Sequence, residues 1–149
     1  IAPRIEENTR FLDLCAGTGA IGIEALSRGC GHVTFVDKAR KACGLIEANL
    51  DQLKVPDRAT DVVCNSAAKF LAKNSDESWD VIFYDPPYSS DYGKILSALG
   101  GSSSGALSRN GLLIVEHHAK TEVPDAAGEI RRWRLLKQGE TCLSFYERS

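Results

Sequence analysis

The chain has no methionine among its 149 residues, no Cys-x-x-Cys pair, a net charge of only −2, and no apolar run approaching a membrane span. Each absence excludes something. A spanning helix needs about 20 consecutive apolar residues, and the start of the chain shows no signal-peptide pattern, so neither a membrane protein nor a membrane partner is expected. The five cysteines, Cys15, Cys30, Cys43, Cys64 and Cys142, are odd in number and scattered, with no histidine at ligand spacing. That pattern argues against a disulfide framework and a zinc site, and no metal is expected. Most of them read as small reduced core residues, in a reducing compartment, the cytoplasm or an organelle stroma or matrix. Near-neutral charge does not advertise a nucleic-acid binder, so any such binding must be local. Candidate basic groups are Lys38, Arg40 and Lys41, and Arg131, Arg132, Arg134 and Lys137; for each cluster on its own a solvated helix or strand face is the favoured explanation. The missing methionine, with a first strand beginning within a dozen residues, suggests a domain excised or processed from a longer chain.

What is present is ordinary globular composition, 43% hydrophobic and 26% charged, at a length that fits one domain over 1–149. Ile1 to Arg10 reads as a linker. Phe11 to Cys15 is a short apolar run, followed by a glycine turn and a helix carrying Ile21, Ala25 and Leu26 to a C-cap at Gly29. His32 to Val36 forms a second strand ending at Asp37. The next segment sets Ala42, Leu45, Ile46, Asn49, Leu50 and Leu53 on one helical face. Asp61 to Cys64 is a third strand, with a short helix behind it that turns Phe70 and Leu71 inward. Trp79 to Tyr84 is the fourth, and Tyr92, Ile95, Leu96 and Leu99 mark the helix that follows. Residues 100–105 form a flexible surface loop, Leu112 to Glu116 a fifth strand, and Ala119 to Gly128 is too short and proline-interrupted for a helix. Ile130 to Leu136 and Thr141 to Glu147 close the chain as a β-hairpin across Gln138, Gly139 and Glu140. Alternating strands and helices predict a parallel sheet, and the hairpin makes the last strand antiparallel.

Two stretches carry chemistry. Gly17-x-Gly19-x-x-Gly22 opens a helix directly after a strand, and Asp37 follows about 20 residues on at the end of the next strand. Such glycines let backbone approach a ligand, the helix start offers unpaired N–H groups, and the acid can accept ribose hydroxyls. A nucleoside cofactor is expected. The spacing alone does not choose between NAD and S-adenosylmethionine. Asp13 on the first strand, the turn after the fourth strand, the closing hairpin and the absence of a second domain all favour S-adenosylmethionine.

The second stretch is Asp85-Pro86-Pro87-Tyr88, behind Val81 to Tyr84. Neither proline can donate to a sheet ladder, and each restricts the residue before it, so the turn is stiff and extended. Asp85 and the Pro86 carbonyl can accept hydrogen bonds, and Tyr88 can stack on a flat ring. Together they describe a clamp for a planar group bearing an exocyclic amine. As a plain loop, the same residues would only cap a helix and cover the core edge.

The segments from Phe11 to Gly29, Val33 to Asp37, Asp85 to Tyr88, Leu112 to His117 and Gly139 to Tyr146 run in order over nearly the whole chain. Together they resemble the RsmD-type 16S rRNA (guanine-N2) methyltransferases. The resemblance implies a Rossmann-like class I methyltransferase fold: α/β, a doubly wound, mostly parallel sheet of about seven strands with an antiparallel last strand. It implies S-adenosyl-L-methionine held by Asp13, Ala16, Gly17, Gly19, Asp37, Lys38, Ser66 and Ala67, and catalysis by Asp85, Pro86, Pro87 and Tyr88. Its partner would be ribosomal RNA or the small-subunit particle, and a monomer is expected. Two departures stand out. Ser66 occupies the place where the family carries an adenine-facing acid, and the basic N-terminal segment of the family does not precede the first strand. The same Asp-Pro-Pro-Tyr turn would serve an adenine-N6 methyltransferase, and a non-catalytic methyltransferase-like binding module is the alternative of a different kind. An NAD oxidoreductase is more distant. Tyr92 and His117 read as rim or core-edge residues and are left outside the expected site.

Overall fold

The structure is a computed structural model that describes residues 5–74, 76–87, 90–101 and 105–148. Strands β1 (Arg10–Leu14), β2 (His32–Asp37), β3 (Thr60–Cys64), β4 (Trp79–Tyr84) and β5 (Leu107–His118) alternate with helices α1 (Ala20–Ser27), α2 (Arg40–Gln52), α3 (Ala67–Lys73) and α4 (Tyr92–Gly100). The chain ends in β6 (Ala126–Ala127), β7 (Ile130–Gln138) and β8 (Thr141–Arg148). All eight strands share one sheet in the order β3-β2-β1-β4-β5-β8-β7-β6. Pairing is parallel from β3 through β5, and β8 closes onto β5 antiparallel. The expected doubly wound sheet is the one observed. The strand beyond the expected seven is the two-residue β6, which pairs with β7 in the stretch too short for a helix.

Strand alternation sorts the core into two layers. Phe11, Val33, Phe35, Val81 and Phe83 face α1 and α2, where Ala25, Ile46 and Leu50 meet them. Leu12, Leu14, Val36, Ile82, Tyr84, Leu113 and Val115 face the other way, against Phe70 and Leu71 of α3 and Tyr92, Ile95, Leu96 and Leu99 of α4. One expected face is corrected. Helix α2 buries Cys43, Ile46 and Leu50, and leaves Leu45 46% and Leu53 58% exposed. The stripe is narrower than the apolar count implied, because Cys43 rather than Leu45 shares the line of Ile46 and Leu50. The linker also ends sooner than its polarity suggested: Thr9 is buried and Arg10 already pairs with His32. The fifth strand is longer than its apolar stretch, since Leu107 pairs with Trp79 across a register shift. Of the expected 100–105 loop, Gly100 closes α4 and residues 102–104 lie outside the described set. No described helix is long and apolar enough to cross a membrane.

The antiparallel end is docked to α4 backbone against backbone. A Cβ on Gly100 would sit 1.8 Å from the Ala127 carbonyl oxygen, and the Glu129 N–H donates to the Gly100 carbonyl at 2.6 Å. Gly44 is the opposite case, inside α2 with nothing within 4 Å of its missing side chain. Gly44→Ala is therefore expected to stabilise the fold by about 1 kcal/mol through helix propensity alone. Gly100→Ala is expected to destabilise it by about 2 kcal/mol or more, because a carbonyl in a sheet turn cannot step aside. Urea denaturation of the two variants checks both signs.

Candidate active site

Strand order reverses between β1 and β4: one half of the sheet is built outward through β2 and β3, the other through β5. Ligand crevices in open α/β sheets lie outside the carboxyl ends at such a reversal. Both chemical stretches end there. Asp13 is the fourth residue of β1, on the face turned toward α1, and its Oδ2 accepts the Gly22 N–H at 3.2 Å. Helix α1 can approach so closely because Gly22 has no side chain; a Cβ there would lie 2.4 Å from the Phe35 ring.

The turn between them is held by backbone. Ala16 N–H donates to the Val36 carbonyl, and Gly19 N–H to that of Ala16. Gly17 and Gly19 take φ of 58° and 82°, and Cys15, which is not a glycine, takes 63°. The left-handed residues fold the turn back over the end of β1. Nothing lies within 4 Å of where a Gly17 side chain would project, so its backbone faces open space. Asp37, closing β2, ties the turn down: its Oδ2 accepts the Gly17 N–H at 3.0 Å and its Oδ1 the Ala39 N–H at 2.9 Å. Each oxygen keeps a second lone pair toward the crevice.

A cavity of about 260 Å³ opens beside this turn, lined by Cys15, Asp37, Lys38, Ser66, Ala67 and Pro86 among others. Ser66 has a local task as well, since its hydroxyl accepts the Lys69 N–H and caps α3. A left-handed glycine turn facing open space, a carboxylate with spare lone pairs and an adjoining cavity fit the adenosine part of a cofactor. A second cavity, of about 340 Å³, lies beyond the proline turn and is lined by Asp85, Pro86, Pro87, Tyr92, Glu116, His117, His118, Glu140 and Thr141. Pro86 and Pro87 line both cavities, so the stiff turn is the wall between them. Tyr88 lies outside the described residues. Tyr92 and His117, left out of the expected site, are in the second cavity, as is Glu116. Glu116 is placed by register alone: Tyr84 pairs with Val115, so the next step along the two strands sets Asp85 beside Glu116.

His117 is braced from behind. Its Nδ1 meets the His118 carbonyl at 3.0 Å and its Nε2 the Ser144 hydroxyl at 2.7 Å, while Arg132 reaches the same hydroxyl at 3.1 Å and pairs with Asp125. A carbonyl only accepts, so Nδ1 donates to it, and with the ring neutral Ser144 accepts from Arg132 and donates to Nε2. Arg132 is therefore a structural group, while Arg131, Arg134 and Lys137 remain exposed on the hairpin.

Burial dominates the electrostatics. It pushes the Asp13 carboxyl from 3.8 up to about 7, against the lowering effect of the Gly22 N–H and with added repulsion from Asp85 and Asp37. Loss of water also pushes Asp85 up to about 6, with the Glu116 carboxyl adding to it. Burial lifts the Cys15 thiol to about 11, which leaves it unreactive at neutral pH. The crevice thus gathers carboxyl groups that are short of compensating charge, a surrounding suited to a cationic ligand.

Asp13 carries a linkage consequence. Its proton is held more tightly in the folded chain than in the unfolded one, so its contribution to stability is full below about pH 4, is lost as pH rises toward 7, and stays lost above. Asp13→Asn keeps an oxygen for Gly22 and removes the ionisable proton. It is expected to melt roughly 5 °C or more above the parent chain at pH 8, with the gap closing at pH 4. An equal gap at both pH values would show that the buried charge is not the cost.

The family model described as Conserved hypothetical protein 95 matches residues 1–147. The putative rRNA methyltransferase YlbH of Bacillus subtilis is 36% identical over 141 residues, covering 93% of this chain and 76% of the relative. The ribosomal RNA small subunit methyltransferase D of Haemophilus influenzae is 31% identical over 136 residues, covering 91% and 68%. Among solved structures, a putative methylase from Haemophilus influenzae superposes with a TM-score of 0.85 at 26% identity, over 95% of this chain and 88% of its own. A crevice at the reversal of strand order, a proline-walled cavity beside it and a sequence match over nearly every residue converge: the chain belongs to the Conserved hypothetical protein 95 family, that of the RsmD-type S-adenosylmethionine-dependent methyltransferases.

Proposed function

We propose that this chain methylates the exocyclic N2 amine of a guanine in small-subunit ribosomal RNA, free or in the assembled particle. The observation that carries the reading is the shared proline wall: a cavity beside the glycine turn and a cavity holding Asp85 meet at Pro86 and Pro87. A methyl donor in one and an amine in the other would face each other across the shortest path.

In this reading Asp13, Ala16, Gly17 and Gly19 run along the methionine and sugar of the cofactor, Asp37 accepts from the ribose hydroxyls, and Lys38, Ser66 and Ala67 border the adenine. When bound, S-adenosylmethionine supplies an electrophilic methyl on a sulfonium. The chain's own task is to prepare the amine, a poor nucleophile whose lone pair is delocalised into the ring. Asp85 and the Pro86 carbonyl accept its two hydrogens, draw it toward tetrahedral geometry and stabilise the positive charge that develops on attack. The two prolines hold these acceptors still, so little reorganisation is needed at the moment of reaction. Asp85, raised to about 6, then receives the proton that the methylated nitrogen gives up more readily than an ordinary aspartate would. Tyr88 is the stacking platform for a base turned out of its helix, a contact worth roughly 1–3 kcal/mol. The exposed Arg131, Arg134 and Lys137 of the hairpin that carries Thr141 are suited to phosphates flanking that base.

Calorimetric titration with S-adenosylhomocysteine, with NADH as control, is expected to show saturable binding to the first only. Methyl transfer to 16S rRNA or small-subunit particles, with the product nucleoside identified by mass spectrometry, is expected to yield N2-methylguanosine. Asp85→Ala should lower kcat by about 100-fold or more while leaving S-adenosylhomocysteine affinity intact; a methylated adenine, or an unchanged rate, would sink the assignment.

The same carboxylate sets a pH limit. Because Asp85 must be ionised to stabilise the developing positive charge and to take up the proton, kcat/KM is expected to fall as pH drops through about 6 and to be flat above it. An acid limb near 4 would mean that the carboxyl is not the titrating acceptor.

A further inference from the structure

The cavity beyond the proline turn holds a carboxyl group to which the reaction above gives no task. Glu116 sits near the end of β5, one step past the Tyr84–Val115 pair and therefore alongside Asp85 on the same face of the sheet. The two carboxyl groups line the same cavity, and Glu116 adds to the upward push on the Asp85 carboxyl. Among the described residues no lysine, arginine or histidine pairs with Glu116. An unneutralised carboxyl on a cavity wall, next to a second one, is a costly arrangement for packing alone. It has a use if the occupant brings donors.

Carboxylates only accept, so Glu116, Asp85 and the Pro86 carbonyl make a row of acceptors. Guanine is the one RNA base with two adjacent donors on its pairing edge, the N1–H and the N2 amine. Adenine and cytosine set a ring-nitrogen lone pair beside their amine, and uracil flanks a single N–H with two carbonyls. We propose that Glu116 determines base specificity: its carboxylate accepts the guanine N1–H while Asp85 and Pro86 accept the neighbouring N2 amine. The inference rests on the guanine reading above and adds to it the residue that makes the choice. With adenine, the Glu116 oxygen would face the N1 lone pair, acceptor against acceptor. A site built to bond a substrate N–H turns away the analogue that lacks it, because its own polar group is then left unpaired. A protonated Glu116 would behave in the opposite sense, donating to a ring lone pair, and the experiment separates the two.

The probe is 2-aminopurine, which keeps the 2-amino group of guanine and replaces N1–H with a lone pair. Small-subunit particles are reconstituted from ligated rRNA bearing either guanine or 2-aminopurine at the acceptor position, which is first located by mass spectrometry. Transfer of labelled methyl is then measured for the parent protein and for Glu116→Gln. The parent is expected to favour guanine by about 100-fold in kcat/KM. Glu116→Gln, whose amide can turn an N–H toward a ring lone pair, is expected to lose activity on guanine, hold or gain on 2-aminopurine, and so shrink the ratio at least about tenfold. Glu116→Ala should lose activity on guanine without that gain. Unchanged S-adenosylhomocysteine affinity in both variants shows that the fold and cofactor site survive. A parent protein that accepts both bases equally, or a Glu116→Gln ratio equal to the parent's, overturns the assignment of Glu116 while leaving the methylation reading standing. A parent protein that transfers nothing to guanine removes the guanine reading, and this inference with it.

Discussion

The parallel ladder between β1 and β4 is the constraint on which the site depends. Phe11 to Leu14 pair with Val81 to Tyr84, at the one place where the sheet changes the direction in which it is wound. Because both strands run the same way and end at the same height, the glycine turn leaving one and the proline turn leaving the other emerge side by side. Helices on opposite faces carry the chain away from that point, which leaves the crevice uncovered by secondary structure. Had β4 paired elsewhere, the same two motifs would stand apart and neither cavity would have its shared wall.

Electrostatically, the crevice is expensive by design of its neighbours. Asp13 is almost fully buried, and its partner is a backbone N–H rather than a cation. Asp37 spends one lone pair of Oδ2 on the glycine turn and one of Oδ1 on the Ala39 N–H at the start of α2. Asp85 and Glu116 crowd each other at the next two strand ends. Burial makes Asp13 and Asp85 hold their protons more tightly than usual, and cationic or donor-rich ligands offset what the protein leaves uncompensated. The stability that the fold forgoes here is the kind that functional sites commonly forgo.

The second cavity owes its rigidity to the antiparallel end of the sheet. Asp125, Arg132, Ser144 and His117 form a chain of hydrogen bonds that ties the end of β5 to β7 and β8. Tyr146 adds a bond from its hydroxyl to the Pro124 carbonyl, tying the same loop to β8. His117 and Tyr92, both on the cavity wall, meet edge to face, and Tyr92 meets Tyr84 in the same way, so ring contacts reach from β5 to β4 behind it.

Much of this was legible in the residue order. The alternation of apolar runs with helical periods, the glycine spacing with its distant acid, and the two prolines behind an apolar run are local signals. Local signals are set by backbone sterics and by the period of each element, so they survive without knowledge of the partners. The misjudged details are those that depend on what an element packs against. Leu45 and Leu53 are as apolar as Leu50, yet only the sheet decides which side of α2 is inside. Ala126 and Ala127 form a strand only because β7 offers an edge to pair with. His117 reads as an isolated rim residue, because the group that orients it, Ser144, is distant in sequence. Glu116 stood in plain sight at the end of a strand, but its closeness to Asp85 follows from parallel register, a property of two strands and not of either. The sequence by itself determined the order of elements and the two turns with their chemistry. Tertiary structure decided that the turns share a wall and which carboxyl groups meet across it, because those contacts are made between strands far apart along the chain.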